Sequence, residues 1–71
     1  MNLLEAQEGR AYVITSVNLD DEDLVSHLFS LGCYSGEPIT VIKSRRSGCI
    51  VSIKEGRYSI DSALAAAISV K

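Results

Sequence analysis

The side chains that could bind a metal or act as a nucleophile are two cysteines and one histidine. Cys33 and Cys49 do not form a CxxC pair, and two thiols alone cannot complete a four-ligand zinc site. His27 and Cys33 could share a metal only if the end of the histidine's helix bends round, and they would still need other ligands. We interpret the cysteines as reduced thiols in or near the core, with a disulfide as the alternative. His27 is interpreted as a solvated residue, so His27 and Cys33 are weak candidates for metal ligands and no metal site is predicted.

Four consecutive carboxylates, Asp20 to Asp23, are the second group with possible chemistry. A calcium loop alternates its ligands along the chain, which this run does not do. At the start of a helix such carboxylates interact favourably with the helix dipole, and Asp20 is the predicted N-cap. The sequence contains no second histidine, nucleophile elbow or phosphate-binding glycine loop. We therefore predict that the chain is not an enzyme and uses no cofactor.

The hydrophobic pattern predicts a mainly β domain with a helix after its first strand. Residues 10–17 alternate as a strand does, with apolar groups on both faces. After the acidic run the apolar positions recur at three and four, which is typical of a helix with one buried face: Leu24, Val25, Leu28, Phe29 and Leu31. Further strands are predicted at 39–43, 49–54 and 57–60, then a helical turn at 63–67 and a closing strand at 68–70. This order indicates a small, partly open β-barrel with five strands and the first helix as a lid.

The stretch SLGCYSGEPI, residues 30–39, connects that helix to the next strand. Gly32 is the predicted left-handed residue that ends the helix, and Pro38 is restricted to the start or edge of a strand. A second turn is predicted at Glu55-Gly56, where the glycine would take a positive φ. Folding explains the glycines of the stretch, but it does not require Tyr34 at the tip of the turn. Aromatic residues contribute disproportionately at interfaces, so Leu28, Leu31 and Tyr34 are the predicted partner-binding residues.

Length and charge narrow the possible functions further. A chain of 71 residues forms one domain, 1–71, with a core too thin for a deep enclosed pocket. The net charge of −2 gives no general attraction to nucleic acid or an anionic membrane. No apolar run is long enough to span a bilayer and no signal peptide is evident, so a cytoplasmic location is expected. Basic residues cluster around the hairpins as a local positive patch available to an acidic partner surface: Lys43, Arg45, Arg46, Lys54 and Arg57. A small nucleic-acid-binding barrel stays open as an alternative.

Three segments in order resemble the FeoA family of ferrous-iron transport accessory proteins: EGRAYVITSV, LVSHLFSLGCYSGEPITVIK and GCIVSIKEGRYSIDSALAAAISV. The matching positions are turn and core residues: Gly9, Leu28, Leu31, Gly32, Gly36, Ile39, Val41, Ala65, Ile68 and Val70. The chain departs from the family at Cys33 to Ser35, where a methionine or leucine and often a proline are usual. It also has Asp61 followed by alanines where a basic residue is common. Both departures fall where a partner could dock.

The resemblance implies an SH3-like barrel with a helix inserted after the first strand. It also implies a cytoplasmic accessory protein that binds a FeoB-type membrane GTPase and permease, as a monomer or weak homodimer and without inserting into the membrane itself. A related domain forms the C-terminal part of iron-dependent repressors, so a metal-sensing regulatory domain is the alternative function. No metal-binding residue is carried over from the family to this sequence.

Overall fold

The computed structural model describes residues 1–71 as one five-stranded antiparallel sheet with short helices. A 3-10 helix at Leu3–Glu5 precedes the elements, which we label in chain order: β1 Ala11–Val17, α1 Glu22–Leu31, β2 Pro38–Arg45, β3 Gly48–Ile53, β4 Gly56–Asp61, α2 Ser62–Ala67 and β5 Ile68–Val70. The mainly β class, the five strands and the helix after the first strand are as predicted. Neither helix has the length and apolar character needed to cross a membrane.

The strands are ordered β4-β3-β2-β1-β5, so β4 and β5 are the two edges of the sheet. No ladder joins β4 to β5, and the sheet is therefore not closed. The prediction of a small, partly open barrel is thus confirmed in its five antiparallel strands, but closure into a barrel is not confirmed. β5 is only three residues long, which limits the backbone it can offer to another strand.

One face of the sheet carries the core, because alternate residues of each strand point to the same side. β1 buries Tyr12 and Ile14, while Val13 between them is exposed. The central strands also bury every second side chain: Ile39 and Val41 in β2, and Cys49, Val51 and Ile53 in β3. Both faces of β1 carry apolar groups, as predicted, but Val13 on the second face is exposed to solvent.

The core is covered by elements other than the predicted lid. Leu3 of the 3-10 helix and Ala65 of α2 are fully buried, and α2 packs against the 3-10 helix and against β3. Small alanine side chains allow this close approach. In contrast, α1 contributes a single buried side chain, Leu28. The prediction that α1 is the lid of the sheet is therefore wrong.

The start and the faces of α1 differ from prediction in two ways. The N-cap is Asp21 and not Asp20, because the Asp21 carboxylate accepts hydrogen bonds from the backbone N–H groups of Asp23 and Leu24. The predicted buried face is also narrower than expected. Leu24 is 38% exposed and Phe29 is 61% exposed, since the sheet offers contact to only one line of the helix.

The hairpin between β3 and β4 turns at Lys54 and Glu55. Lys54 has a positive φ of 55°, whereas Gly56 does not and is the first residue of β4. The predicted strand 49–54 thus ends one residue early, and the positive φ falls on the lysine. This turn brings Lys54 towards the end of α1.

Candidate partner-binding surface

The end of α1 is held by Gly32, which has a φ of 96°. Its N–H donates to the Phe29 carbonyl, and the Cys33 N–H donates to the Leu28 carbonyl, as in a helix that ends on a left-handed residue. A Cβ atom at Gly32 would lie 2.8 Å from the Lys54 Cε atom. The corner therefore needs glycine for its backbone conformation, and a side chain there would displace that of Lys54 in the β3–β4 turn.

The chain between Gly32 and β2 is bonded to β1. The Gly36 N–H donates to the Ile14 carbonyl at 2.8 Å, and the Ile14 N–H donates to the Glu37 carbonyl at 2.9 Å. The Glu37 N–H donates to the Tyr34 carbonyl, which closes a turn around Tyr34. These bonds fix the position of the Tyr34 backbone relative to the sheet.

Two aromatic rings stack on the surface at this corner. The ring centroids of Phe29 and Tyr34 are 4.5 Å apart with an interplanar angle of 29°. The Lys54 ammonium lies 5.6 Å from the centroid of the Tyr34 ring, within the range of a cation–π interaction. Tyr34 is half-buried by these neighbours, whereas most of Phe29 faces solvent.

An ion pair between Lys54 and Glu37 closes the cluster on its polar side. The hydrogen bond from the Lys54 ammonium lowers the pKa of the Glu37 carboxyl, and the Tyr34 hydroxyl lowers it further. The same pair raises the pKa of Lys54, with Glu37 as the main cause and Tyr34 as the second. Both groups are therefore charged at neutral pH and hold the turn against the aromatic pair.

A shallow groove of about 640 Å³ runs between the end of α1 and the β3–β4 hairpin. We call it the aromatic groove and define it by Phe29, Leu31, Tyr34, Lys54 and Tyr58. Its walls combine apolar rings with one ion pair at the rim, and it is open to solvent. Such a surface suits contact with an apolar side chain of another polypeptide, because aromatic anchors in grooves dominate binding energies.

The three predicted partner-binding residues occupy different environments. Leu31 and Tyr34 are half-buried and line the aromatic groove. Leu28 is 2% exposed and lies in the core, so it anchors the helix and is not part of the exposed surface. Phe29 was expected to lie inside, and the structure places it on the surface instead. The sequence gives one hint that Phe29 is exposed: the five apolar positions of α1 form a stripe that is wider than a single contact with the sheet can bury.

The two candidate metal ligands are not brought into a metal site. His27 is exposed on α1, while Cys33 is 2% exposed and belongs to the core. Burial raises the pKa of the Cys33 thiol to about 11, so it is protonated and a poor ligand at neutral pH. No group of three or more histidine, cysteine or acidic side chains is placed to hold a metal ion. Both cysteines are buried and free, in agreement with the prediction of reduced thiols.

A family model described as the FeoA domain matches residues 1–71 of this chain. Among solved structures, an iron uptake regulatory protein (FeoA) is 26% identical, with a TM-score of 0.87 over 100% of this chain and 95% of that one. FeoA of Stenotrophomonas maltophilia in complex with zinc, described as a prokaryotic SH3 domain protein, is 21% identical. Its TM-score is 0.85 over 100% of this chain and 89% of that one.

The fold also occurs inside a larger regulator. A manganese-dependent transcriptional repressor is 19% identical with a TM-score of 0.87, and the match covers 99% of this chain but 40% of the repressor. At this level of identity the likeness concerns the fold alone. No curated protein gives a significant match to the chain.

Proposed function

The chain belongs to the FeoA family, and from that premise we propose that it is an accessory protein of ferrous iron transport that binds the cytoplasmic part of a FeoB-type GTPase and permease. The family is associated with ferrous iron transport and is non-catalytic. A binding role through its surface is therefore the function to look for. Its expected place is the cytoplasm, recruited to the membrane through this partner.

The observation that carries this proposal is the exposed Phe29 ring stacked on Tyr34 beside the aromatic groove. A large aromatic ring that is 61% exposed does little for the fold and remains available to a partner. Its position is fixed by the helix and by the stack on Tyr34, and the Lys54 ammonium in turn lies against the Tyr34 ring. A preorganised anchor of this kind loses little conformational entropy on binding.

The size of the contribution follows from the exposed fraction of Phe29. A phenylalanine side chain has about 200 Å² of surface, of which 61% is exposed, so a partner that covers it removes about 120 Å² from water. At about 25 cal/mol per Å² this is ~3 kcal/mol, and fixing side chains at the interface offsets about 1 kcal/mol of it. The remaining ~2 kcal/mol corresponds to about a thirtyfold change in affinity.

The test is a binding titration with the purified cytoplasmic domain of the FeoB-type transporter from the same organism. Phe29→Ala should weaken the complex by about thirtyfold and Tyr34→Ala by on the order of tenfold. Leu4→Ala serves as the matched control, because Leu4 is an exposed apolar residue outside the aromatic groove. Unchanged affinity in the Phe29 and Tyr34 variants would show that this surface is not the docking site. Absence of any complex with the wild-type protein would refute the function itself.

The metal-sensing alternative shares the fold of the repressor domain but lacks a ligand set. Its candidate ligands are one exposed histidine and one protonated, buried thiol. Anaerobic titration with Co²⁺, followed by the His27 ring signals in NMR spectra, separates the two functions. A shift of these signals at micromolar metal would favour sensing over docking.

A further inference from the structure

A second surface lies on the solvent side of β2, β3 and β4, opposite the core. In antiparallel ladders, residues directly opposite each other share a face. The register places Lys43 opposite Ile50 and Ile50 opposite Ser59, and it places Ser52 opposite Arg57. These residues alternate with the buried Cys49 and Val51, so their side chains point away from the core.

This surface is strongly basic although the chain as a whole is acidic. We call it the basic face and define it by four cations, Lys43, Arg45, Arg46 and Arg57, around the half-buried Ile50. Arg46 lies in the turn between β2 and β3, and the other three lie on the strands. With strands about 4.8 Å apart and about 3.3 Å per residue along a strand, the register places Lys43 about 12 Å and Arg45 about 17 Å from Arg57.

None of the four cations has an anionic partner within the chain. The only salt bridge of the structure joins Lys54 and Glu37 at the aromatic groove. Two carboxylates adjoin the basic face, and both accept hydrogen bonds from the backbone: Glu8 from the Ser44 N–H and Asp61 from the Leu64 N–H. Glu8 and Asp61 offset part of the positive charge, and the remainder is left for an external group to balance.

A groove of about 580 Å³ crosses the end of the basic face beside α2. It is lined by Arg45, Ile50, Ser59, Asp61 and Leu64 among others. The groove therefore presents apolar side chains, Ile50 and Leu64, next to the unpaired guanidinium of Arg45. A flat charged surface would suit a membrane, whereas a groove with an apolar floor suits a side chain of a bound segment.

We propose that the basic face binds an acidic peptide segment of a partner protein, with carboxylates on Lys43, Arg45 and Arg57 and one apolar side chain in the groove beside Ile50 and Leu64. Charge complementarity favours an acidic occupant. Nucleic acid is disfavoured because no aromatic ring lies on this face for bases to stack on. Tyr58, the aromatic residue of β4, lies opposite the buried Val51 and lines the aromatic groove instead.

The experiment uses the full chain and a synthetic probe. An extended peptide rises about 3.3 Å per residue, so a heptapeptide spans the patch. The probe is acetylated and amidated Glu-Asp-Glu-Leu-Asp-Glu-Asp, and its control is the amide counterpart Gln-Asn-Gln-Leu-Asn-Gln-Asn. Titration followed by amide NMR shifts should move the signals of Lys43, Ile50 and Ser59 and leave those of Phe29 and Tyr34 in place. The amide counterpart should not bind.

Charge-reversal variants assign the binding to the basic face. Arg45→Glu should weaken binding of the acidic probe by about tenfold or more, because it replaces an attraction by a repulsion. Lys71→Glu makes the same change in net charge at the end of the chain next to β5, the opposite edge of the sheet, and should change affinity less than about twofold. Raising the salt from about 0.1 M to about 1 M NaCl shortens the Debye length from about 10 to about 3 Å and should also weaken binding.

Several results would overturn the proposal. Equal binding of the amide counterpart, equal loss in the Arg45 and Lys71 variants, or shifts confined to the aromatic groove would each contradict it. The proposal would also be contradicted if the basic face bound phosphatidylglycerol vesicles or an oligo-dT strand through Arg45 but did not bind the acidic probe. Binding of a second copy of the chain to the basic face would contradict it as well. The test needs no transporter, so its outcome is independent of the proposed function.

Discussion

Replacing Leu28 and Phe29 by alanine should separate the residue that holds α1 from the residue that serves binding. The two are neighbours in the sequence, but Leu28 is 2% exposed and Phe29 is 61% exposed. Leu28 is the only fully buried side chain of α1, and Leu31 adds a partly buried contact with the core. The perturbation therefore tests whether Leu28 is the main anchor of the helix.

The expected magnitudes differ clearly between the two variants. Truncation of a buried leucine to alanine costs about 2–5 kcal/mol, through lost transfer energy and the cavity left behind. In a domain of this size 1 kcal/mol shifts the melting temperature by about 4–8 °C, so Leu28→Ala should lower it by at least about 8 °C. Phe29→Ala loses the stack on Tyr34, about 0.5–1.5 kcal/mol, and regains about 0.5 kcal/mol because alanine is the better helix former.

Thermal unfolding followed by circular dichroism measures the difference. Phe29→Ala should melt within about 8 °C of the wild type, because its net loss is at most about 1 kcal/mol, and Leu28→Ala should melt below that range. Hydrogen exchange of the α1 amides adds a second readout, since loss of the main anchor should free the helix before the sheet opens. Equal melting temperatures for the two variants, or a larger loss for Phe29→Ala, would refute the assignment of Leu28 as the main anchor.

Three further outcomes follow from the corner and the buried thiols. Gly32→Ala and Gly36→Ala should both lower the free energy of unfolding by about 1–2 kcal/mol, because both glycines have φ above 90°. Gly32→Ala should cost more than Gly36→Ala, since only its Cβ would meet Ile53 and displace the Lys54 side chain; urea titration compares them. The pKa of Glu37 is lowered in the fold, so its contribution to stability is present above the ordinary carboxyl range and is lost as the pH falls through the folded pKa. The difference in unfolding free energy between wild type and Lys54→Met should therefore shrink in acid. A difference that stays constant with pH would contradict this. The buried thiol of Cys33 should react with iodoacetamide only after unfolding, and its rapid alkylation in the native protein, seen by mass spectrometry, would show that the corner opens.

The strands were predictable because their signal is local. Alternation at residues 49–53 marks one face as buried, and the structure buries Cys49, Val51 and Ile53 on that face. The end of α1 was equally local, since a glycine after the last periodic residue is the usual left-handed stop. Such features depend on neighbours within a few residues, which the sequence shows directly.

The covering of the core was not predictable in the same way. Leu3 sits in a 3-10 helix of three residues, which is too short to show any period. The alanines of α2 indicate close packing but not the element they pack against, and that element is the 3-10 helix at the other end of the chain. The role given to α1 was wrong because a wide apolar stripe does not reveal how much of it the sheet can reach.

The candidate site was predicted in part. Tyr34 and Leu31 were chosen from the corner, and both line the aromatic groove. Phe29 was missed because its position in the stripe is indistinguishable from that of Leu28 by period alone. Only the relative orientation of helix and sheet, which depends on contacts far apart in the sequence, decides which of the two faces solvent. The role of these residues in binding a partner stays a prediction.

The β3–β4 hairpin serves both proposed surfaces because a strand alternates its side chains. Tyr58 lines the aromatic groove, while its neighbours Arg57 and Ser59 belong to the opposite face. The two grooves therefore lie on opposite sides of the hairpin, with Ser59 in one and Tyr58 in the other. If both surfaces function, the acidic heptapeptide should not displace the transporter domain from the aromatic groove, and saturating one site should leave the affinity of the other unchanged. Competition between them would contradict the assignment of the two ligands to opposite sides of β4, on which the alternation of Arg57 and Tyr58 places the two surfaces.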